Sequence, residues 1–322
     1  MGPLIPMRPA FGRAIVELGR TNPDVVVLSA DVSNSDYTFM FQEAFPDRFI
    51  NVGIAEQCLI DVAVGLAYSG KVPFATTFAF LHATRALEPI RTHLGIGGAN
   101  VKLMAPYGGL SPMQEGPTHH AISDIAIMRS LPGMTIVQPA DTVALEKLLP
   151  QVAAWPGPVY LRMNRNDVPL LFDATYAPTI GRAVRLRTGT DVTLVGTGLM
   201  VSRCLLAADD LANDGISASV LDVHTIKPLD EAAILEAAEQ TGAIVTAEEA
   251  SILGGLGGAV AELLGANRPV PLTRVGVGDR FVGECGPYTA LLDRHGMSVS
   301  DVKAAAVDAI ARKPRHARRS RS

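Results

Sequence analysis

Residues 134–162, MTIVQPADTVALEKLLPQVAAWPGPVYLR, set the pattern for the whole chain. Met134–Val137 reads as a short buried strand. Thr142–Ala153 reads as a helix, with Leu145, Leu148, Leu149 and Val152 spaced along one face. Val159–Arg162 reads as a second strand. Strands that alternate with helices in this way form a parallel sheet with helices on both faces, because parallel pairing needs a crossover.

The same alternation continues upstream. Strands are expected at Val25–Ser29, Val72–Thr76 and Val101–Ala105, and helices at Arg8–Leu18, Ala55–Tyr68, Leu81–Leu94 and Ile122–Ser130. Downstream, Pro169 to Thr190 carries two prolines and no clear period, and reads as a linker. The pattern resumes at Asp191–Gly196, with further strands near Ser217–Leu221, Ala243–Ala247 and Pro271–Val275 and a last helix at about Ser300–Arg312. The expected fold class is α/β, with two domains, each a mostly parallel sheet with helices on both faces. The boundaries read as 1–172 for the first domain, 173–190 for the linker, 191–312 for the second domain and 313–322 for a basic tail without fixed structure.

In open parallel sheets, ligand-contacting residues sit on loops beyond the carboxyl ends of the strands. That places Asp31–Ser35, Thr77–Phe78, Tyr107–His119 and Arg162–Asn166 on one rim of the first domain. The second domain offers much less polar material there.

The 322 residues suit two domains, and 48% hydrophobic content is enough to build two cores. A net charge of −4 gives the body no basic face for nucleic acid. Arg312–Ser322 holds six Lys and Arg and no acid, which reads as a solubilising tail. The three cysteines, Cys58, Cys204 and Cys285, lie far apart without a Cys-x-x-Cys pair, as in a protein of a reducing compartment. No apolar run reaches the roughly 18–20 residues that span a bilayer, and the first residues lack a secretory pattern. A cytoplasmic chain that contacts neither membrane nor nucleic acid is the expectation.

Three segments invite a chemical reading beside a plainer one. Gly53-Ile-Ala-Glu-Gln57 opens an apolar helix, so Glu56 either complements the helix dipole or serves as a buried reactive carboxyl. Gln114-Glu-Gly-Pro-Thr-His-His120 is a polar loop leading into a helix, and its histidines lack the His-Glu-x-x-His pattern of a metal site. Ser251–Val260 is glycine-rich after a strand, which suits tight helix packing as well as nucleotide binding.

Five short motifs then stand in register. They are Gly53–Gln57, Thr77-Phe78, Gly116-Pro-Thr-His-His120, Pro132-Gly-Met134 with Pro139-Ala-Asp141, and Asp222-Val-His-Thr-Ile-Lys-Pro-Leu-Asp230. Together they resemble the transketolase family, over roughly residues 8–312. That family has a diphosphate-binding, a pyrimidine-binding and a C-terminal domain, and this sequence resembles the last two. It contains no Gly-Asp-Gly, the family's metal and diphosphate motif. The resemblance therefore implies a C-terminal subunit of a split transketolase. A partner N-terminal subunit would carry Gly-Asp-Gly, hold Mg²⁺ or Ca²⁺ and complete a thiamine diphosphate site. The pairing implies self-association into a homodimer core and a heterotetramer with two partners.

The resemblance also implies residue roles in the transfer of a two-carbon ketol unit from a ketose, or its phosphate, to an aldose. Glu56 matches the carboxyl that meets N1′ of the cofactor's aminopyrimidine. Phe78 matches the first aromatic of the pyrimidine wall, whose next members fall at Leu81 and Thr84, with Phe80 or His82 as substitutes. Asp31 matches an acidic residue near the cofactor. His119 and Glu115 match residues that contact substrate hydroxyls. Arg8, Ser35 and Arg162 match phosphate-holding residues, while the family's phosphate-binding histidine falls at Tyr107. Arg165 could make up for that change, and His224 reads as structural. Competing expectations are the β subunit of a 2-oxo-acid dehydrogenase first component, deoxyxylulose-phosphate synthase chemistry, and a non-catalytic scaffold subunit.

Overall fold

The protein is described by a computed structural model covering residues 2–314. In chain order the first strands are β1 (Leu4–Pro6), β2 (Val25–Ser29), β3 (Phe49–Asn51), β4 (Val72–Thr76), β5 (Lys102–Ala105), β6 (Thr135–Val137) and β7 (Val159–Arg162). They are followed by β8 (Asp167–Pro169), β9 (Val184–Arg187), β10 (Val192–Gly196), β11 (Ala218–Asp222), β12 (Thr225–Lys227), β13 (Ile244–Ser251) and β14 (Leu272–Val277). One sheet has the order β12-β6-β7-β5-β4-β2-β3 and a second the order β14-β13-β10-β11-β9. Both are parallel except at one edge, where β12 and β9 run antiparallel to their neighbours. The two α/β domains read from the sequence are these two sheets with their helices.

The central strands β2, β5 and β7 are buried at every residue. Strands covered on both faces read as continuous apolar runs rather than alternations, which is why they were legible. One face is covered by the helices Met7–Thr21 and Thr142–Ala154, through Phe11, Ile15, Leu145, Leu148 and Val152. The other is covered by the helix Glu56–Tyr68 and the segment through Ile90 and Leu94. The first of these cores continues through Tyr176, Ile180, Leu199 and Met200 into the second domain, so apolar packing fixes the two sheets against each other.

The structure departs from the expected boundaries in four places. Val184–Arg187, inside the expected linker, is the edge strand β9, paired with β11. Strand β12 crosses back to the first sheet and extends it beyond β6. The single helix expected at Leu81–Leu94 is broken into Ala79–Ala83, Leu87–Pro89 and a wide-turned segment Ile90–Ile96. Pro89 has no backbone N–H to continue a regular ladder. At the C-terminus the last helix ends at Ala311, and Lys313, assigned above to the tail, donates from Nζ to the Asp191 carbonyl. The expectation for residues 315–322 lies outside the described residues. Among the described residues no helix is long and apolar enough to cross a membrane.

A buried carboxylate locks the two domains together. Glu249 of β13 accepts from the Leu110 N–H at 2.7 Å and from the Tyr288 hydroxyl at 2.6 Å. Burial pushes its carboxyl up to about 7, against the opposing pull of Arg162 and these hydrogen bonds. Gly109 makes the approach possible, because it has a φ of 63° and a Cβ there would lie 2.4 Å from Glu249 Oε1. Gly109→Ala is therefore expected to cost about 2–4 kcal/mol, from left-handed strain plus displacement of the carboxylate. A chemical denaturation midpoint equal to that of the parent would contradict this packing.

Candidate active site

The carboxyl ends of β2 and β4, the start of the helix Glu56–Tyr68 and the long loop after β5 enclose a cleft of about 430 Å³. Asp31, Ser35, Glu56, Phe78 and His119 line it, as the rim predicted from the sequence requires. Ile54, Phe80, Leu81 and Arg85 complete the wall.

Glu56 is the first residue of its helix and is 1% exposed. The positive end of the helix favours a carboxylate there, and a buried charge needs a partner. Arg85 is that partner, with Nη1 at 3.0 Å from Oε1 and 2.9 Å from Oε2. The sequence reading missed Arg85. A continuous helix over 81–94 would have fixed its direction, whereas the break after Ala83 places it on the cleft. Pro89 inside that run was the signal of a break.

Asp31 sits at the mouth in the left-handed region, with φ of 62°, and accepts from Asn51 Nδ2 at 3.0 Å. Aspartate tolerates that conformation better than most residues. His119 packs against Phe80 and Phe78, with ring centroids 5.0 and 5.9 Å apart. Its Nδ1 meets the Thr118 hydroxyl at 2.9 Å, leaving Nε2 as the ring's other hydrogen-bonding atom. His120 turns the other way, with Nδ1 3.2 Å from the Val282 carbonyl oxygen, and burial pulls its pKa down. The adjacent histidines thus sit in different surroundings.

Behind Phe78 lies a stack of rings and cations. The Phe78 and Tyr107 centroids are 4.3 Å apart, and the Arg8 and Arg165 guanidinium carbons lie 5.7 and 5.2 Å from the Tyr107 centroid. Tyr107 has a φ of 66°, which is unfavourable for a bulky residue. Its ring contacts on three sides offset that strain. Arg8 donates to three neutral acceptors, the Ser35 carbonyl at 2.7 Å, the Arg165 carbonyl at 2.8 Å and the Tyr107 hydroxyl at 3.4 Å. Arg165 Nη2 lies 3.4 Å from Glu115 Oε1, and its Nε is buried with no hydrogen-bond partner among the described residues. Two guanidinium groups with one carboxylate leave this corner positive, the chemistry of a site for a terminal anion. Arg8 and Arg165 also line a larger groove of about 840 Å³ between the domains.

Arg162 does not join them. It is 1% exposed, and its Nε and Nη2 donate to Asp124 at 2.7 and 3.2 Å. Nη2 also reaches the Ala121 and Glu249 carbonyls at 2.8 and 3.0 Å. Expected to be a phosphate holder, Arg162 is instead half of a buried ion pair, with its donors committed inside the protein. Arg165, three residues later, takes the more exposed position.

The remaining expectations divide. Phe80 and Leu81 reach the cleft, whereas Thr84 is exposed with its hydroxyl on the Phe80 carbonyl. His82 is fully buried against the Met104 carbonyl, and desolvation lowers its pKa to about 4. His224 is likewise buried, with Nδ1 2.9 Å from the Thr225 hydroxyl. In the glycine-rich run, Glu248 accepts from the Leu256 and Gly257 N–H groups, both at 2.8 Å. A Cβ on Gly255 would fall 2.0 Å from Glu248 Oε2. The glycines there admit the protein's own carboxylate to the helix start, which is the plainer reading.

Residues 4–169 match the transketolase pyrimidine-binding domain, and residues 181–302 match the transketolase C-terminal domain. The chain belongs to the transketolase family. It is 41% identical over 307 residues to the 6-deoxy-6-sulfo-D-fructose transketolase subunit of a Clostridium strain, covering 95% of each chain. It is 38% identical over 280 residues to an apulose-4-phosphate transketolase subunit of Phocaeicola vulgatus, covering 87% of this chain and 89% of that one. A solved structure described as a split gene transketolase, inactive β4 tetramer, superposes with a TM-score of 0.90 at 44% identity, covering 97% of this chain and all of that one.

Proposed function

We propose that this chain is the pyrimidine-side subunit of a two-polypeptide transketolase. Its partner subunit contributes the diphosphate-binding domain, with Gly-Asp-Gly and a bound Mg²⁺ or Ca²⁺. The working unit holds two chains of each kind. The reaction moves a two-carbon ketol unit from a ketose to an aldose. Glu56 carries this reading: a buried carboxyl stands at the edge of a cleft walled by Phe78, Phe80 and Leu81. An aminopyrimidine ring needs just that pair of features, an apolar flank and a carboxyl at its edge. Relatives named as subunits match over nearly their whole length, which supports the division between two polypeptides.

When bound, thiamine diphosphate supplies the carbon nucleophile. This chain's residues place it and move protons. Glu56 exchanges a proton at the ring's N1′, and the surrounding low dielectric strengthens that hydrogen bond. Phe78 and Phe80 hold the ring face and exclude water. His119, on the same cleft, meets a substrate hydroxyl. Arg8 and Arg165 hold the substrate's terminal anion beside Tyr107, and Glu115 orients Arg165. Asp31 stands at the mouth, where the partner subunit closes the site.

The named substrates of the two relatives end in a sulfonate and in a phosphate, and the Arg8–Arg165 corner is the seat of such a group. Arg165→Ala is expected to raise KM about 10- to 100-fold for anion-ended sugars, the scale of one lost charged hydrogen bond. KM for neutral sugars should stay near the parent value. An equal rise for both substrate types would remove the anion role. The reaction class is tested by offering the assembled subunits ketose donors beside 2-oxo acids with an electron acceptor. Turnover of the 2-oxo acids alone would reassign the chain to the dehydrogenase group.

A further inference from the structure

Glu56 has a partner that the proposed chemistry does not require. Arg85 Nη1 spans both carboxylate oxygens, at 3.0 and 2.9 Å. The two residues line one cleft, but they differ sharply in burial: Glu56 is sealed, whereas the Arg85 side chain is 53% exposed. A guanidinium on a long stem at the mouth of a cleft can leave its partner without disturbing the core. A ring nitrogen that took either oxygen of Glu56 would enter the space Nη1 now commands.

We propose that Arg85 competes with the ligand's ring nitrogen for Glu56, and so sets the affinity for the ring. The inference rests on the reading of Glu56 as the aminopyrimidine's carboxyl. The Arg85 guanidinium occupies both oxygens that the ring would need, so the ring must displace it before it can bond. Without the guanidinium no ion pair has to break. Arg85 is on this account a positioning residue: it acts on the ligand through Glu56.

The experiment is calorimetric titration of the chain, assembled with its partner subunit and Mg²⁺, with thiamine diphosphate. Arg85→Gln should bind roughly three- to tenfold more tightly, the scale of one partly exposed ion pair. Arg85→Lys should return the affinity toward the parent. In a Glu56→Gln background, the Arg85→Gln effect should vanish. Affinity unchanged or weakened in Arg85→Gln, or tightening that persists without Glu56, overturns the competition. Failure of the underlying reading looks different: Glu56→Gln alone would leave cofactor affinity and turnover at parent levels.

Discussion

Glu56→Gln is expected to lower the turnover of the assembled enzyme by about 10²–10⁴-fold, the range of a lost acid–base group. The substitution keeps the shape of the side chain and an oxygen that can still accept from Arg85. It removes the exchangeable proton. The chain should therefore fold and assemble as the parent does, and the loss should fall on kcat rather than on KM for the sugar. Steady-state kinetics at saturating cofactor, with a thermal melt as a control, separates these effects. Turnover within a few-fold of the parent would mean that the buried carboxyl is only a helix-end charge, the plainer of its two sequence readings.

Arg162→Met is expected to act on stability instead. Arg162 and Asp124 are both fully buried, and their ion pair is reinforced by the Tyr160 hydroxyl, which donates to Asp124 Oδ2 at 2.8 Å. Removing the guanidinium leaves the Asp124 carboxylate without its cation and takes one donor from each of two carbonyls, of Ala121 and Glu249. Breaking one side of such a pair typically costs about 3–5 kcal/mol. Denaturant titration should show that loss, and Asp124→Asn in the same chain should recover part of it, because the orphaned charge is gone. A variant as stable as the parent, with a raised KM for phosphorylated sugars, would restore the phosphate role read from the sequence.

Most of the fold was legible because its central strands are buried on both faces and its helices are amphipathic. Val25–Ser29, Val72–Thr76 and Val159–Arg162 fall on the expected residues. The edge strands were not legible. Val184–Arg187 is half-buried and mixed in polarity, and its strand character comes from pairing with β11. Short motifs located Asp31, Glu56, Phe78 and His119, which the structure gathers into one cleft. Sequence position could not tell Arg162 from Arg165, since which arginine points inward depends on where Asp124 lies after folding. Arg85 was invisible for a related reason: its contact with Glu56 spans 29 residues and depends on a helix break.

The central claim is that this chain holds half of a thiamine diphosphate site and needs a second polypeptide for the rest. A ketol-transfer assay tests it most directly. It compares the chain alone, the candidate partner alone and their mixture, each with thiamine diphosphate and Mg²⁺ and with an anion-ended ketose donor and an aldose acceptor. The account predicts turnover in the mixture only, lost when the cofactor is left out. Equal turnover by the chain alone, or a mixture that stays silent with every donor, would contradict it.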